Sequence, residues 1–294
     1  MERLWMTAPI RGTSAGEQRE SERATRDEPN DGGVDTGSTP AGGAMSDGPA
    51  DTDSGGNGRR EGPGADWQAV FWDIGGVILE LESVRAAHAT VIEEFVERNE
   101  LDVSTVEAVE TWRSAVGEFF RERDGTEFRA ARDGYAKGFE AVAGESLATG
   151  EWRPAFEETV QSAIEPVPGA VDAIERLAGR DLHVGVISDV DDDAGREMLA
   201  RFGVRKRFDS ITTSEEVGRT KPDPEIFETA LEKAGVEPTR SLMIGDRYEH
   251  DVKGADEVGM YGVAFGAADG PAVAYRITSP LEVLEIVADG IPEK

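Results

Sequence analysis

Two aspartates, Asp246 and Asp251 in IGDRYEHD, stand just beyond the apolar run SLMIG. Paired carboxylates at the mouth of a strand offer the hard oxygen ligands that a cation such as Mg²⁺ takes. A third, Asp73, follows the apolar run QAVFW and precedes the loop residues Gly75 and Gly76. Taken alone, an aspartate so placed is more often a turn or helix-cap residue than a reactive one, and capping would also account for Asp246. Lys221 in GRTKPDPEIF is flanked by Pro222 and, further on, Pro224, whose stiff backbone could hold an ammonium pointing inward. A lone lysine is otherwise a solvated surface group. Ser188 closes the apolar run LHVGVIS. Together these side chains suffice for a metal-assisted site, provided that the fold brings them to one place.

The elements that must do so are short. Apolar runs at QAVFWD, LHVGVIS (182–188), FDSITT (208–213), SLMIG (241–245) and MYGVAF (260–265) predict buried strands. Between them, residues 170–179, 194–203, 224–235 and 250–259 carry apolar positions at helical spacing, and several of these stretches stop at glycine. Strands alternating with such helices predict an α/β fold, a parallel sheet covered on both faces. In an open sheet of that kind ligands bind outside the carboxyl ends of the strands. Asp73, Ser188 and Asp246 all fall at predicted strand ends, so one crevice would collect them.

One stretch breaks the alternation. Residues 83–165 contain only helical patterns, with Ser104 and Glu107 spaced as a capping box. They predict an all-helical insert between the first and second strands. The expected organisation is thus a core built from 66–82 and 166–294 and a helical cap at 83–165. Residues 1–65 are rich in Gly, Ser, Thr, Asp, Glu and Arg, have no apolar periodicity, and are expected to be disordered. Met45 opens the stretch MSDGPADTDS, which reads as an alternative start.

The FWDIGGVI, VISD, TKPDPEIF and IGDRYEHDVKGADEVGM segments resemble, in wording and order, the four motifs of the haloacid dehalogenase superfamily. The likeness spans residues 67 to 270; PVPGAVDAIERLA is similar to that family's return from cap to core, and the insert resembles its C1-type cap. The resemblance implies a Rossmann-like core and a Mg²⁺-dependent hydrolase, in particular a phosphatase for a small phosphate monoester. Asp73 would be the nucleophile and form an aspartyl-phosphate. Ser188 and Lys221 would bind and stabilise the phosphoryl group, with Asp189 beside the substrate. Asp73, Asp246 and the Gly75 backbone carbonyl would hold the metal, with Asp251 in support.

One position departs from the pattern. Most phosphatases of the family carry a second aspartate two residues after the nucleophile, as general acid and base, and this chain has Gly75 there. General acid–base catalysis is worth on the order of 10²- to 10⁴-fold. Glu80 and Glu82 are conceivable substitutes, although a surface role is the plainer reading. Two alternatives follow. A 2-haloacid dehalogenase would use the same aspartate against carbon without a metal, but that branch has an aromatic residue at the Gly75 position and Asn at the Asp189 position. A phospho-ligand-binding protein with little or no turnover would tolerate the missing acid.

Composition narrows the partners. Asp and Glu number 60 against 31 Lys and Arg, a formal net charge of −29, which repels nucleic acid. The acid is spread along the chain and only six basic residues are lysine, as in proteins from salt-loving organisms. Molar salt, with a Debye length of roughly 3 Å, screens such self-repulsion. The absence of cysteine removes thiolate metal sites and thiol nucleophiles. No run reaches the roughly 18 apolar residues of a membrane span, so a cytoplasmic protein acting on a small phosphorylated molecule is expected. Oligomeric state is not legible.

Overall fold

The structure, a computed structural model, describes residues 66–291. The expectations for residues 1–65, disorder and a start at Met45, lie outside the described residues.

The chain enters at β1 (Ala69–Trp72), AVFW, whose four residues are all buried. An uninterrupted apolar strand suits the middle of a parallel sheet with helices on both faces, where neither side meets water. Four helices follow: α1 (Leu81–Arg98), α2 (Thr105–Arg121), α3 (Ala131–Ala143) and α4 (Thr149–Ala163). Alternation then resumes with α5 (Ala170–Leu177), β2 (His183–Ser188), α6 (Asp192–Arg201), β3 (Ser210–Thr213), the single turn α7 (Ser214–Val217) and α8 (Pro224–Ala234). The chain closes with β4 (Ser241–Gly245), α9 (Lys253–Glu257), β5 (Tyr261–Phe265), β6 (Val273–Ile277) and α10 (Val283–Asp289). The six strands are parallel, in the order β3-β2-β1-β4-β5-β6. A Rossmann-like α/β core with helical insertion is therefore the architecture.

Two features depart from the sequence expectation. β6 carries Tyr275 and Arg276 and alternates in exposure along a sheet edge, so no continuous apolar run announces it. The helix expected at 250–259 begins instead as a π-helical turn over Tyr248–Val252 before α9. There the Asp251 side chain folds back, its Oδ2 accepting a hydrogen bond from the Arg247 backbone N–H at 2.8 Å.

The insert has its own apolar cluster, centred on Phe95, Trp112, Phe139, Trp152 and Phe156. Ser104 and Glu107 form the expected capping box at the start of α2. Glu80 caps α1, accepting from the Ser83 N–H at 2.5 Å. The outgoing and returning strands of the insertion are tied side by side: Glu80 N–H donates to Glu165 C=O at 2.9 Å and Val167 N–H to Ile78 C=O at 2.8 Å. Among the described residues no helix is long and apolar enough to cross a membrane.

Trp112 is fully buried and its indole lies over Gly138, where an added Cβ would sit 2.4 Å from a ring carbon. Trp112→Ala therefore leaves a cavity that no neighbouring backbone fills. Denaturant titration should show a loss of about 3–5 kcal/mol; a loss under about 1 kcal/mol would mean that the insert does not depend on this ring.

Candidate active site

Sheet register assembles the site. Trp72 pairs with Val186 of β2 and Ile244 of β4, so Asp73 emerges level with Ile187 and Gly245. Its N–H donates to Ile244 C=O at 3.0 Å. Ser188 and Asp246 lie at or just past the ends of the flanking strands, and both are buried. Three segments distant in sequence thus meet at the centre of the sheet.

Lys221 reaches the same point from the loop between α7 and α8, which includes a cis Lys221–Pro222 peptide bond. Its ammonium has no solvent exposure. It sits 3.0 Å from Asp73 Oδ1 and 2.6 Å from Asp251 Oδ1, and donates to Ile187 C=O at 3.1 Å. Burial by itself would lower the pKa of this amine. The charges of Asp251, Asp73 and Asp189 more than offset that and hold it above the usual lysine range. The group is a fixed cation.

Oxygen atoms of Asp73, Asp246 and Asp251 lie within 4.8 Å of one another. Two glycines make this crowding feasible. At Gly76, φ is +79°, a left-handed conformation that side chains resist, and a Cβ would fall 2.5 Å from Asp246 Oδ2. At Gly245 a Cβ would fall 2.0 Å from that of Asp251. Three carboxylates against the Lys221 ammonium and the Arg247 guanidinium, 4.0 Å from Asp251 Oδ2, still leave an excess of negative charge on hard oxygen ligands, a donor set that fits Mg²⁺.

Asp189 lines the cavity above the cluster, with both carboxylate oxygens engaged. Oδ1 accepts the Lys221 backbone N–H at 2.8 Å and Oδ2 meets Arg247 Nη2 at 2.6 Å. Burial pushes its carboxyl up, but Arg247 and Lys221 prevail and hold it at about 2. Arg247 was not singled out in the sequence; its place between two aspartates of one motif was the available signal.

The cavity encloses about 480 Å³ between core and insert. Asp73, Gly75, Ser188 and Asp246 line it from the core. His88, Tyr135, Trp152 and Phe156 line it from α1, α3 and α4. None of these aromatic wall residues was marked from the sequence, because helical spacing does not separate a ring facing the cavity from one facing the insert's interior. Trp112 and Phe120 are buried in that interior. Glu80 is occupied as a helix cap and Glu82 is exposed, and neither lines the cavity.

Asp191 was also overlooked. Its Oδ1 and Oδ2 accept from the Ala131 and Arg132 backbone N–H groups at 2.7 and 3.2 Å, capping α3 from 60 residues away. Burial raises its pKa, against the two amides, which favour the anion. A second strap joins insert and core beside Lys221: Thr220 N–H donates to Thr126 C=O at 2.7 Å and Phe128 N–H to Gly218 C=O at 3.0 Å.

Comparison with known proteins gives a consistent picture. A family profile described as haloacid dehalogenase-like hydrolase matches residues 67–259. Glyceraldehyde 3-phosphate phosphatase of Methanothermobacter thermautotrophicus is 37% identical over 33% of this chain and 43% of its own length. Pyrimidine 5'-nucleotidase YjjG of Escherichia coli is 37% identical over 38% of this chain and 49% of its own. In both, the match spans less than half of the relative. A solved HAD phosphatase from Thermococcus onnurineus superposes with a TM-score of 0.59 at 26% identity, covering 76% of this chain and all of that one. An L-2-haloacid dehalogenase from Xanthobacter autotrophicus superposes at 0.56 with 14% identity, over 76% of this chain and 98% of that one, and so shares the fold.

His88 gives the site a measurable pH signature. Burial, assisted by Arg113, lowers its imidazole from the usual 6.5 to about 3. The unfolded chain then binds a proton that the folded chain refuses, so this contribution is intact above pH 6.5 and lost as pH falls toward 3. Stability should drop by about 1.4 kcal/mol per pH unit below 6.5 from this group alone. Comparing denaturation of wild type and His88→Phe between pH 7 and pH 5 should show a shallower slope in the variant; parallel slopes would mean that His88 takes up its proton alike in the folded and unfolded chain.

Proposed function

This chain belongs to the haloacid dehalogenase-like hydrolases, and from that footing we propose that it is a phosphatase acting on a phosphate monoester. The observation that carries the reading is the Lys221 ammonium buried against Asp73 and Asp251, with Asp246 completing a carboxylate cluster at the strand ends. Such an arrangement attracts a phosphoryl group only when a cation joins it. Asp73, Asp246 and the Gly75 carbonyl would hold Mg²⁺, supported by Asp251. The metal would offset repulsion between an anionic nucleophile and an anionic ester.

In this reading an Asp73 carboxylate oxygen bonds to phosphorus as the bond to the leaving oxygen breaks. Water then attacks the aspartyl-phosphate, releasing phosphate and restoring the carboxylate. Ser188 donates a hydrogen bond to a phosphoryl oxygen, and Lys221 supplies fixed positive charge where negative charge accumulates. Asp189 acts at one remove, holding Arg247 and the backbone of Lys221 in place. The helical insert, residues 83–165, serves as a cap that closes on the leaving group. Haloacid displacement gains nothing from a cluster of three carboxylates, so the dehalogenase reading is the weaker one.

In molar KCl with Mg²⁺, the protein should release phosphate from at least one ester in a panel of sugar, aryl and organic-acid phosphates. Asp73→Asn should fall to background. Release by no ester, or halide release from 2-haloacids in a chelator, would overturn the proposal.

Gly75 permits a second test. A Cβ there would meet nothing nearer than Leu81 Cδ2 at 3.8 Å, so a side chain can begin at this position without a clash. Gly75→Asp should raise the rate on alkyl phosphates on the order of 10²-fold by supplying the absent acid. An unchanged rate would mean that another group already delivers the proton.

A further inference from the structure

The wall facing Asp73 from the insert is a stack of rings. Tyr135 and Phe156 have centroids 4.7 Å apart, and His88 stacks on Phe156 at 5.3 Å with an interplanar angle of 20°. Burial keeps His88 uncharged at neutral pH. Leu79, Val84 and Met198 add apolar surface elsewhere around the cavity. A leaving group seated against these rings meets mostly apolar surface.

Among the described residues, every arginine that lines the cavity already has a carboxylate partner. Arg132 meets Glu215 at 2.7 Å and Asp191 at 3.4 Å; Arg153 meets Glu157 at 2.5 Å; Arg247 meets Asp189 at 2.6 Å. Asp193 and Glu197 add further carboxylates to the lining, so acidic groups outnumber basic ones around it. Among the described residues, a second anionic group on the substrate would find no unmatched arginine and a repulsive field. Proton supply points the same way. Position 75 has no carboxyl, and Asp189 and Asp191 are both occupied accepting hydrogen bonds. A leaving oxygen that departs readily as an anion, as a phenol of pKa about 10 does compared with an aliphatic alcohol, depends less on an acid.

We propose that the site selects phosphate monoesters whose leaving group is uncharged and carries an aromatic ring, and rejects those bearing a second negative charge. This rests on the phosphatase reading above and specifies its substrate class.

Non-hydrolysable phosphonates test the pocket apart from turnover. Calorimetric titration of the Mg²⁺-loaded protein should show phenylphosphonate binding at least tenfold more tightly than phosphonoacetate. Phe156→Leu should reduce that advantage to about threefold or less while methylphosphonate binding holds. Glu157→Gln, an exposed change that frees Arg153, should strengthen phosphonoacetate severalfold and leave phenylphosphonate unaltered. Phosphonoacetate binding as tightly as phenylphosphonate, in a protein that still releases phosphate from esters, would overturn the ring preference alone. Failure to bind any phosphonate, together with no phosphate release, would overturn the phosphatase reading and this inference with it.

Discussion

A lysine ammonium out of water needs partners, and Lys221 has ion pairs with Asp73 and Asp251 and a hydrogen bond to the carbonyl of Ile187. Taking such a charge out of water costs several kcal/mol unless partners replace the solvent. Satisfying it constrains much of the surrounding structure. Asp251 must fold inward, which needs Gly245 beneath it and a π-helical turn to carry it. The loop bearing Lys221 must be held, which Asp189 does through the backbone N–H. Asp73 must leave β1 level with β2 and β4, which the parallel register provides. Charge burial, sheet register and the two glycines form one interlocking constraint.

The insert extends that constraint to the substrate. Its α3 begins on Asp191 of the core, so a helix that has no capping side chain of its own obtains one from the loop after β2. The strap between Thr126 and Thr220 attaches the insert next to the lysine loop. Ring residues of α1, α3 and α4 are thereby held over the cluster, and the paired segments at Glu80–Glu165 and Ile78–Val167 are the covalent route between the two parts.

Most of the core was legible because its strands are buried on both faces and appear as apolar runs. β1 and β4 fall where the runs lie, since AVFW and SLMIG are wholly buried. The edge strand β6 gives no apolar run because alternate residues face solvent, and the helix after β4 falls where expected to within two residues but opens as a π-helical turn that carries Asp251. Asp73, Ser188, Lys221, Asp246 and Asp251 were marked from motif wording and position, and the fold gathers all five. Long-range partners were not legible. Asp191 reads as one acid in a run of three, and nothing nearby indicates that it caps a helix 60 residues earlier. Phe156 and Trp112 look alike in a helical pattern, yet the first lines the cavity and the second lies within the insert.

In the proposed reaction Asp73 is the nucleophile toward phosphorus, in a site where Gly75 leaves the second step without a base. With an activated aryl ester the first step needs no acid, so the phosphorylated enzyme should accumulate. The most direct measurement is acid quench during turnover of 4-nitrophenyl phosphate with Mg²⁺, followed by mass mapping of the peptides. The account predicts a phosphoryl group on the peptide that contains Asp73, absent from Asp73→Asn. Steady phosphate release with no covalent phosphoryl on that peptide at any quench time would contradict it.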